Sequence, residues 1–231
     1  MSFSVFSGSL QLTEPDGRTT GYERFLITHN PDGSRTLRTL TRSPTGDLLR
    51  DTNQLVGPDW QAIEAIGRLF VKGQSHGTVM RRIEGGMLHS WVWNHSTEAD
   101  YATFAAPRNL LLGFHPISHD AWKMNFLDRA HKDWQDVWVH TVSVTWNGST
   151  LGHGELRRSQ GRFEGLEDVS VPAGRFACER YTWASPSGSE LGIWRTGDAN
   201  VLVKMVSLGG ARKGAFYELA DYREERVNWR P

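Results

Sequence analysis

Closely spaced turn signals limit what this chain of 231 residues can fold into. Proline and glycine recur with Asp, Asn, Ser or Thr, and the early examples are Glu14–Gly17, Pro31–Gly33, Pro44–Gly46 and Gly57–Asp59. Proline presets φ near the value that many turns require, and glycine accepts a positive φ. The segments between these signals are too short for most helices, and their length is typical of β-strands joined by hairpins.

Most of the segments between the turns alternate in the way that half-buried strands do. In Gly21–His29, for example, Glu23, Phe25 and Ile27 fall on one face of the predicted strand. Roughly twelve such segments predict an all-β fold, a single curled or closed antiparallel β-barrel. No linker divides the chain, so residues 1–231 are expected to form one domain. One short helix is predicted near residues 121–130.

The segment Leu110–Asp133 breaks the strand pattern and gathers groups that exchange protons. Its candidate catalytic residues are His115, His119 and Asp120. An imidazole has an unperturbed pKa near neutrality, so partial burial is enough to make it a general acid or base, and Asp120 would support it. The alternative for the two histidines is a structural, hydrogen-bonded role. The alternative for Asp120 is an N-cap of the predicted helix.

The same residues raise the question of a metal site. Two imidazoles followed by a carboxylate are ligands that zinc accepts. However, Pro116 biases His115 away from helical geometry, and the chain has no HExxH motif. The sequence therefore predicts neither a metal site nor a cofactor.

Tryptophan and histidine recur together on two predicted strands. One strand face carries His89, Trp91, Trp93 and His95, and a second strand carries Trp138 and His140. Indole rings stack well on flat ligands, so these residues are candidates for substrate binding, together with Trp122 in the central segment. The alternative is an ordinary aromatic core face.

Composition excludes several classes of partner. Lys and Arg total 26, as do Asp and Glu, so the chain lacks the basic excess of a nucleic-acid-binding protein. No apolar run is long enough to cross a membrane.

The single cysteine, Cys178, excludes an internal disulfide, and the first residues show no secretion signal, so a cytoplasmic protein is expected. Whether the chain forms a homodimer is left open.

The segment Glu167–Cys178 contains the sequence Val-Pro-Ala-Gly-Arg-Phe, a turn between two predicted strands. It resembles a hairpin of uncharacterised bacterial β-domains that are built as curled, lipocalin-like antiparallel sheets. The resemblance covers the C-terminal third of the chain. It implies a barrel with a cavity, and it transfers no catalytic residue.

Taken together, these patterns favour a cofactor-independent enzyme, of isomerase or lyase type, that acts on a small hydrophobic molecule. Aromatic and polycyclic substrates fit an indole-lined cavity, where histidine would transfer the proton. The first alternative is a binding or carrier protein for a similar molecule. The second is a structural domain whose tryptophans form a filled core.

Overall fold

The structure of the chain is a computed structural model, which describes residues 2–94, 98–142, 151–184, 189–197 and 200–228. Within these residues, fifteen strands form one continuous sheet. In chain order, β1 to β15 are Ser2–Thr13, Thr19–His29, Arg35–Arg42, Leu48–Val56, Ala62–Val71, Gln74–Glu84, Met87–Trp93, Asp100–Ala105, Leu110–Gly113, Gln135–Thr141, Glu155–Val171, Gly174–Ala184, Glu190–Thr196, Leu202–Ser207 and Phe216–Asn228. The prediction of an all-β fold is confirmed.

The sheet curls but does not close through a hydrogen-bonded ladder. Strands β1 to β8 are joined by successive antiparallel pairings, as are β10 to β15, and β15 returns to pair with β1. Strands β8 and β9 therefore remain at the two ends of the sheet. A curled sheet is confirmed and a closed one is not. The prediction of a purely antiparallel sheet is wrong, because β9 runs parallel to β10.

The helical part of the central segment is shorter than predicted. An α-helix, α1, spans Asp120–Lys123, and a 3-10 helix spans Met124–Phe126, whereas the prediction extended to residue 130. The side chain of Asn125 donates to the Trp122 carbonyl at 3.1 Å and takes the place of a continued helical bond. Leu127 is then extended, with φ −97° and ψ 130°.

The central segment lies inside the curl of the sheet and forms much of its core. Residues 110–114 are all buried, as are Ile117, Ala121, Trp122 and Met124. They pack against inward-facing side chains from both halves of the sheet, such as Phe25 and Ile193. Strand alternation positions these inward residues, since every second side chain points to the same face.

Across the described residues, no helix is both long enough and apolar enough to cross a membrane. Cys178 is buried, and burial raises the pKa of its thiol to about 12, so it is an unreactive core residue.

Candidate functional site

The curled sheet encloses a cavity of about 690 Å³. The β1–β2 turn, the β3–β4 hairpin, the central segment and the chain around β14 and β15 all contribute to its wall. Arg18 and Gly210 are exposed and mark the end that meets solvent. Ile117, His119 and Trp183 are buried and form the deep part. The cavity therefore runs from the surface into the core.

The central segment is held beside this cavity by a fully buried carboxylate on β2. Glu23 accepts hydrogen bonds from the backbone N–H groups of Ile117 and Ser118, both at 2.9 Å. It also accepts bonds from the hydroxyls of Ser118 at 2.6 Å and Thr41 at 2.9 Å. Burial raises the pKa of Glu23, while these four bonds act in the opposite direction. A backbone with no ladder partners thereby has its polar groups satisfied.

A second polar network holds α1 from the other half of the sheet. Arg195 on β13 donates to the Ala121 carbonyl at 3.1 Å and to Asn125 Oδ1 at 2.8 Å. The same guanidinium forms a buried ion pair with Glu179, at 2.8 Å. Tyr181 donates to that carboxylate at 2.7 Å. Glu23 and Arg195 thus fix the segment from opposite sides.

The three candidate catalytic residues all line the cavity. His115 has a left-handed backbone, with φ +59°, and its Nε2 lies 3.4 Å from the Thr141 hydroxyl. A positive φ is uncommon for a residue other than glycine, so the surrounding contacts hold His115 in this position. The catalytic roles themselves stay predictions.

His119 occupies the residue before α1 and is only 2% exposed. Its ring meets Trp122 edge-on, with 6.0 Å between the ring centroids. Burial, with a smaller contribution from Lys123, lowers the pKa of His119 to about 3. The imidazole is therefore neutral at physiological pH and only weakly basic.

Asp120 is the first residue of α1 rather than its N-cap, and no side-chain bond caps the helix. Its carboxylate pairs with the ammonium group of Lys123, three residues further on. This ion pair is the contact that the structure shows for the carboxylate, and the support of a histidine by Asp120 stays a prediction.

Basic side chains outnumber carboxylates in the wall. Among the described residues that line the cavity, five are basic and two are acidic: Arg18, Arg42, Arg50, Lys123, Arg212, Glu14 and Asp120. The chain as a whole has as many acidic as basic residues. Arg18 also pairs with Asp16 at 3.6 Å, so the imbalance describes the lining residues and is not a net charge of the site. Sequence reasoning missed it, because these residues come from four separate stretches of the chain.

The predicted aromatic face of β7 points away from the cavity. His89, Trp91 and Trp93 alternate with the buried residues Leu88, Ser90 and Val92, which face the interior. His89 Nδ1 lies 2.7 Å from the Tyr101 hydroxyl on β8, and the Trp91 and Tyr101 rings are 5.3 Å apart. These residues form a half-buried outer patch and do not wall the cavity. His95 lies outside the described residues.

The remaining predicted binding residues are also elsewhere. Trp122 is buried in the core, edge-on to Trp60 at 5.5 Å, and is not among the described lining residues. Trp138 packs against a separate apolar cluster beside β9. His140 is buried near Phe104, and among the described residues neither of its ring nitrogens has a hydrogen-bond partner. Burial, with smaller contributions from Arg81 and His153, lowers its pKa to about 3.

Two further features of the site could have been found in the sequence only in part. Glu23 shares a strand face with the apolar residues Phe25 and Ile27. A carboxylate on an otherwise apolar strand face indicates a buried polar contact. Trp183 is the tryptophan in the described wall, and nothing near it in the sequence distinguished it from the other tryptophans.

Among the described residues, no three His, Cys, Asp or Glu side chains gather closely enough to hold a metal ion.

No family model matches this chain, and neither does any curated protein. A solved structure with a similar fold is a beta-barrel-like protein of the domain of unknown function DUF1849 from Brucella abortus. Its TM-score is 0.59 at 10% identity, and the match covers 97% of this chain and 98% of that one. At this identity the similarity shows the fold alone, which is a β-barrel-like curled sheet.

Two weaker similarities correct the predicted location. One is to a "putative lipoprotein" from Parabacteroides distasonis, with a TM-score of 0.43, 11% identity and coverage of 95% and 94% of the two chains. The other is to a "putative exported protein" with a YmcC-like fold from Bacteroides fragilis, with a TM-score of 0.42, 10% identity and coverage of 96% and 95%. The prediction of a cytoplasmic protein is wrong against these descriptions. It rested on the composition of the first residues, and it is withdrawn.

Proposed function

We propose that this protein binds one small, largely apolar molecule in the cavity of the curled sheet and carries it unchanged. The observation that supports this proposal is a cavity of about 690 Å³ that reaches from solvent into the core. Sites for small molecules usually measure about 300–1,000 Å³ and are lined mostly by apolar groups. Barrels of the lipocalin-like type predicted from the sequence hold single ligands in the same way.

The deep wall offers an apolar surface to such a ligand. Its side chains come from several strands and include Leu12, Leu49, Val139, Leu191 and Met205. Burying apolar surface contributes about 25 cal/mol per Å², so a ligand that fills this part gains affinity without specific polar contacts. Hydroxyl groups of Thr20, Thr141 and Ser207 would orient it.

The acid–base chemistry of the wall favours a carrier over a proton-transfer enzyme. A general base works best with a pKa near the operating pH, whereas the pKa of His119 is lowered to about 3. Asp120 is engaged by Lys123. The isomerase or lyase stays a prediction that rests on His115, the one candidate whose side chain meets a cavity hydroxyl.

A neutral fluorescent probe tests the proposal. N-phenyl-1-naphthylamine should bind saturably, with one molecule per chain. Leu191→Trp would fill part of the cavity and should weaken that binding about tenfold or more, since a bulky ring displaces the ligand. Leu166→Trp is the matched control, because Leu166 is 79% exposed and away from the cavity. A probe that does not saturate, or equal binding by both variants, would contradict the proposal.

A further inference from the structure

We propose that the imidazole of His119 binds a hydroxyl group of the ligand at the deep end of the cavity, so that the ligand is an uncharged, largely apolar alcohol. This inference rests on the proposed function, because it describes the molecule that occupies the same cavity. It places the apolar body of the ligand against the side chains of the strands and its polar group at the inner end.

His119 brings a polar ring into the deep part of the cavity, where its neighbours in the wall are apolar. The side chain is only 2% exposed and lines the cavity, so the small surface that it keeps faces this space. The buried residues Ile117 and Trp183 line the same part of the wall. A ligand that reaches the inner end of the cavity therefore meets the imidazole.

The ring is fixed in position by the residues on either side of it. Ser118 donates to Glu23 through its N–H at 2.9 Å and through its hydroxyl at 2.6 Å. On the other side, the N–H of Trp122 donates to the His119 carbonyl at 3.0 Å, and the indole meets the imidazole edge-on. A binding group that is already fixed loses little conformational freedom when the ligand arrives.

Polar residues near His119 in the wall interact with one another, whereas its own ring does not share in these contacts. Asp120 pairs with Lys123, and His115 Nε2 lies 3.4 Å from the Thr141 hydroxyl. Among the described residues, no group forms a hydrogen bond with the His119 imidazole, which is influenced by burial and by the charge of Lys123 alone. Buried polar side chains usually have a hydrogen-bond partner, so a partner that enters the cavity is expected.

The protonation state of the ring favours a hydroxyl group as that partner. Burial lowers the pKa of His119 to about 3, so the ring is neutral at physiological pH. A neutral imidazole has one N–H donor and one acceptor nitrogen. A hydroxyl group both donates and accepts, and it therefore fits either tautomer. A carboxylate or an ammonium group would have to leave water for an apolar wall without an opposite charge from this ring, which is far more costly.

Two isomers of the same size, 1-decanol and 1-methoxynonane, test the inference by displacement of bound N-phenyl-1-naphthylamine. The alcohol should bind about fivefold or more tightly, because the ether oxygen cannot donate and its methyl group hinders the contact. Equal or weaker binding of the alcohol, or no displacement by either isomer, would overturn the inference and leave the proposed function standing. Failure of the fluorescent probe itself to bind would overturn both.

The charged counterparts decanoate and decylamine test whether the ligand is uncharged. Both should displace the probe less readily than 1-decanol, since each would carry its charge into the apolar end of the cavity. Tighter binding of either ion would overturn the assignment of an uncharged alcohol.

His119→Phe locates the contact. The variant keeps a flat ring and removes both nitrogens, so the ratio of alcohol to ether affinity should fall to about one. His29→Phe is the matched control, because His29 is a half-buried histidine that packs on Phe6 and is not among the described lining residues. This control should keep the wild-type ratio.

If His119→Phe does not fold, nitrogen NMR spectra of the wild-type imidazoles replace it. There, 1-decanol should shift a ring-nitrogen signal of His119 more than 1-methoxynonane does. An unchanged affinity ratio in the folded variant, or equal shifts in the wild type, would overturn the assignment of His119.

Discussion

Glu23 on β2 and Ser118 in the central segment are 95 residues apart in the chain, yet the carboxylate receives both the hydroxyl and the backbone N–H of Ser118. This contact lies inside the curl of the sheet, where water does not compete for it. It joins the N-terminal strands to a segment that has few ladder partners of its own. Glu23 is therefore one of the two buried side chains, with Arg195, that fix the position of the candidate site.

Glu23→Ala should strongly destabilise the protein. The substitution leaves the N–H groups of Ile117 and Ser118 buried without an acceptor, and each such group costs about 1–3 kcal/mol. We expect the free energy of unfolding, measured by urea denaturation, to fall by about 3 kcal/mol or more. Glu84→Ala is the control, because Glu84 is an exposed residue in a surface pair with Arg82 and should have little effect. Equal losses in the two variants would refute the anchoring role.

Arg195→Met tests the anchor on the other half of the sheet. Removing one partner of a buried ion pair typically costs about 3–5 kcal/mol. The loss here should lie at the lower end of that range, because Arg129 still pairs with Glu179. The double variant Arg195→Met/Glu179→Leu should recover part of that loss. Arg158→Met removes an exposed ion pair with Asp136 and serves as the comparison. Urea denaturation of all three variants measures the difference, and a loss for Arg195→Met no larger than for Arg158→Met would contradict the prediction.

Gly67→Ala should disturb the seating of the central segment. A Cβ at this position on β5 would lie 2.2 Å from Cδ1 of the buried Phe114 ring. Such overpacking costs about 1–3 kcal/mol. The double variant Gly67→Ala/Phe114→Leu should recover stability, since it removes the ring. Thermal unfolding provides the measurement, with Gly197→Ala as a control in open space. An unaffected melting temperature in Gly67→Ala would show that Phe114 is not packed on β5.

His119 should make the protein less stable in mild acid. Burial lowers its pKa to about 3 in the fold from the usual value of about 6.5, so the unfolded chain binds the proton more readily. The stability it confers is full above pH 6.5 and is lost as the pH falls towards 3. Between pH 7 and pH 5 the loss amounts to about 2 kcal/mol.

The raised pKa of Glu23 changes the stability of the protein in the opposite direction. The stability that this group contributes is present at low pH and is lost as the pH rises. The free energy of unfolding is therefore compared between the wild type and His119→Asn, because the effect of Glu23 is the same in both proteins. The variant should show a smaller fall in unfolding free energy between pH 7 and pH 5. His76→Asn, at an exposed position on β6, should retain the wild-type fall. A wild-type pH dependence in His119→Asn would rule out the mechanism.

Alternation predicted the strands well and their inward faces less well. Strand β4 has the predicted bounds, Leu48–Val56, because its turns are marked by Pro44–Gly46 and Gly57–Asp59. On β7 the two-residue alternation was predicted correctly, but the aromatic residues were assigned to the interior face of the strand. The inner face of β7 packs on the segment around Leu112 and accommodates only small or aliphatic side chains. Which face is buried depends on what fills the interior, and no local pattern records that.

The central segment shows the same limit. Its histidines and its irregular backbone correctly distinguished it from the strands, and His115, His119 and Asp120 do line one cavity. Its parallel strand β9 could not be predicted, because all four of its residues are buried and do not alternate. The polar residues that hold the segment, Glu23 and Arg195, lie on distant strands. Only the curl of the sheet brings them together.

The two ends of the sheet meet through side chains instead of a ladder. Arg81 on β6 donates to the His140 carbonyl at 2.8 Å, and His153 lies 3.2 Å from Asp100 on β8. A continuous ladder has a circumference set by its strand number, and widening it would break a whole row of backbone bonds. Because this join rests on a few polar contacts, we expect the girth of the curled sheet to be adjustable. In the proposed carrier, ligands of different bulk would be accommodated by the opening of this join, while the remaining strand pairs stay intact.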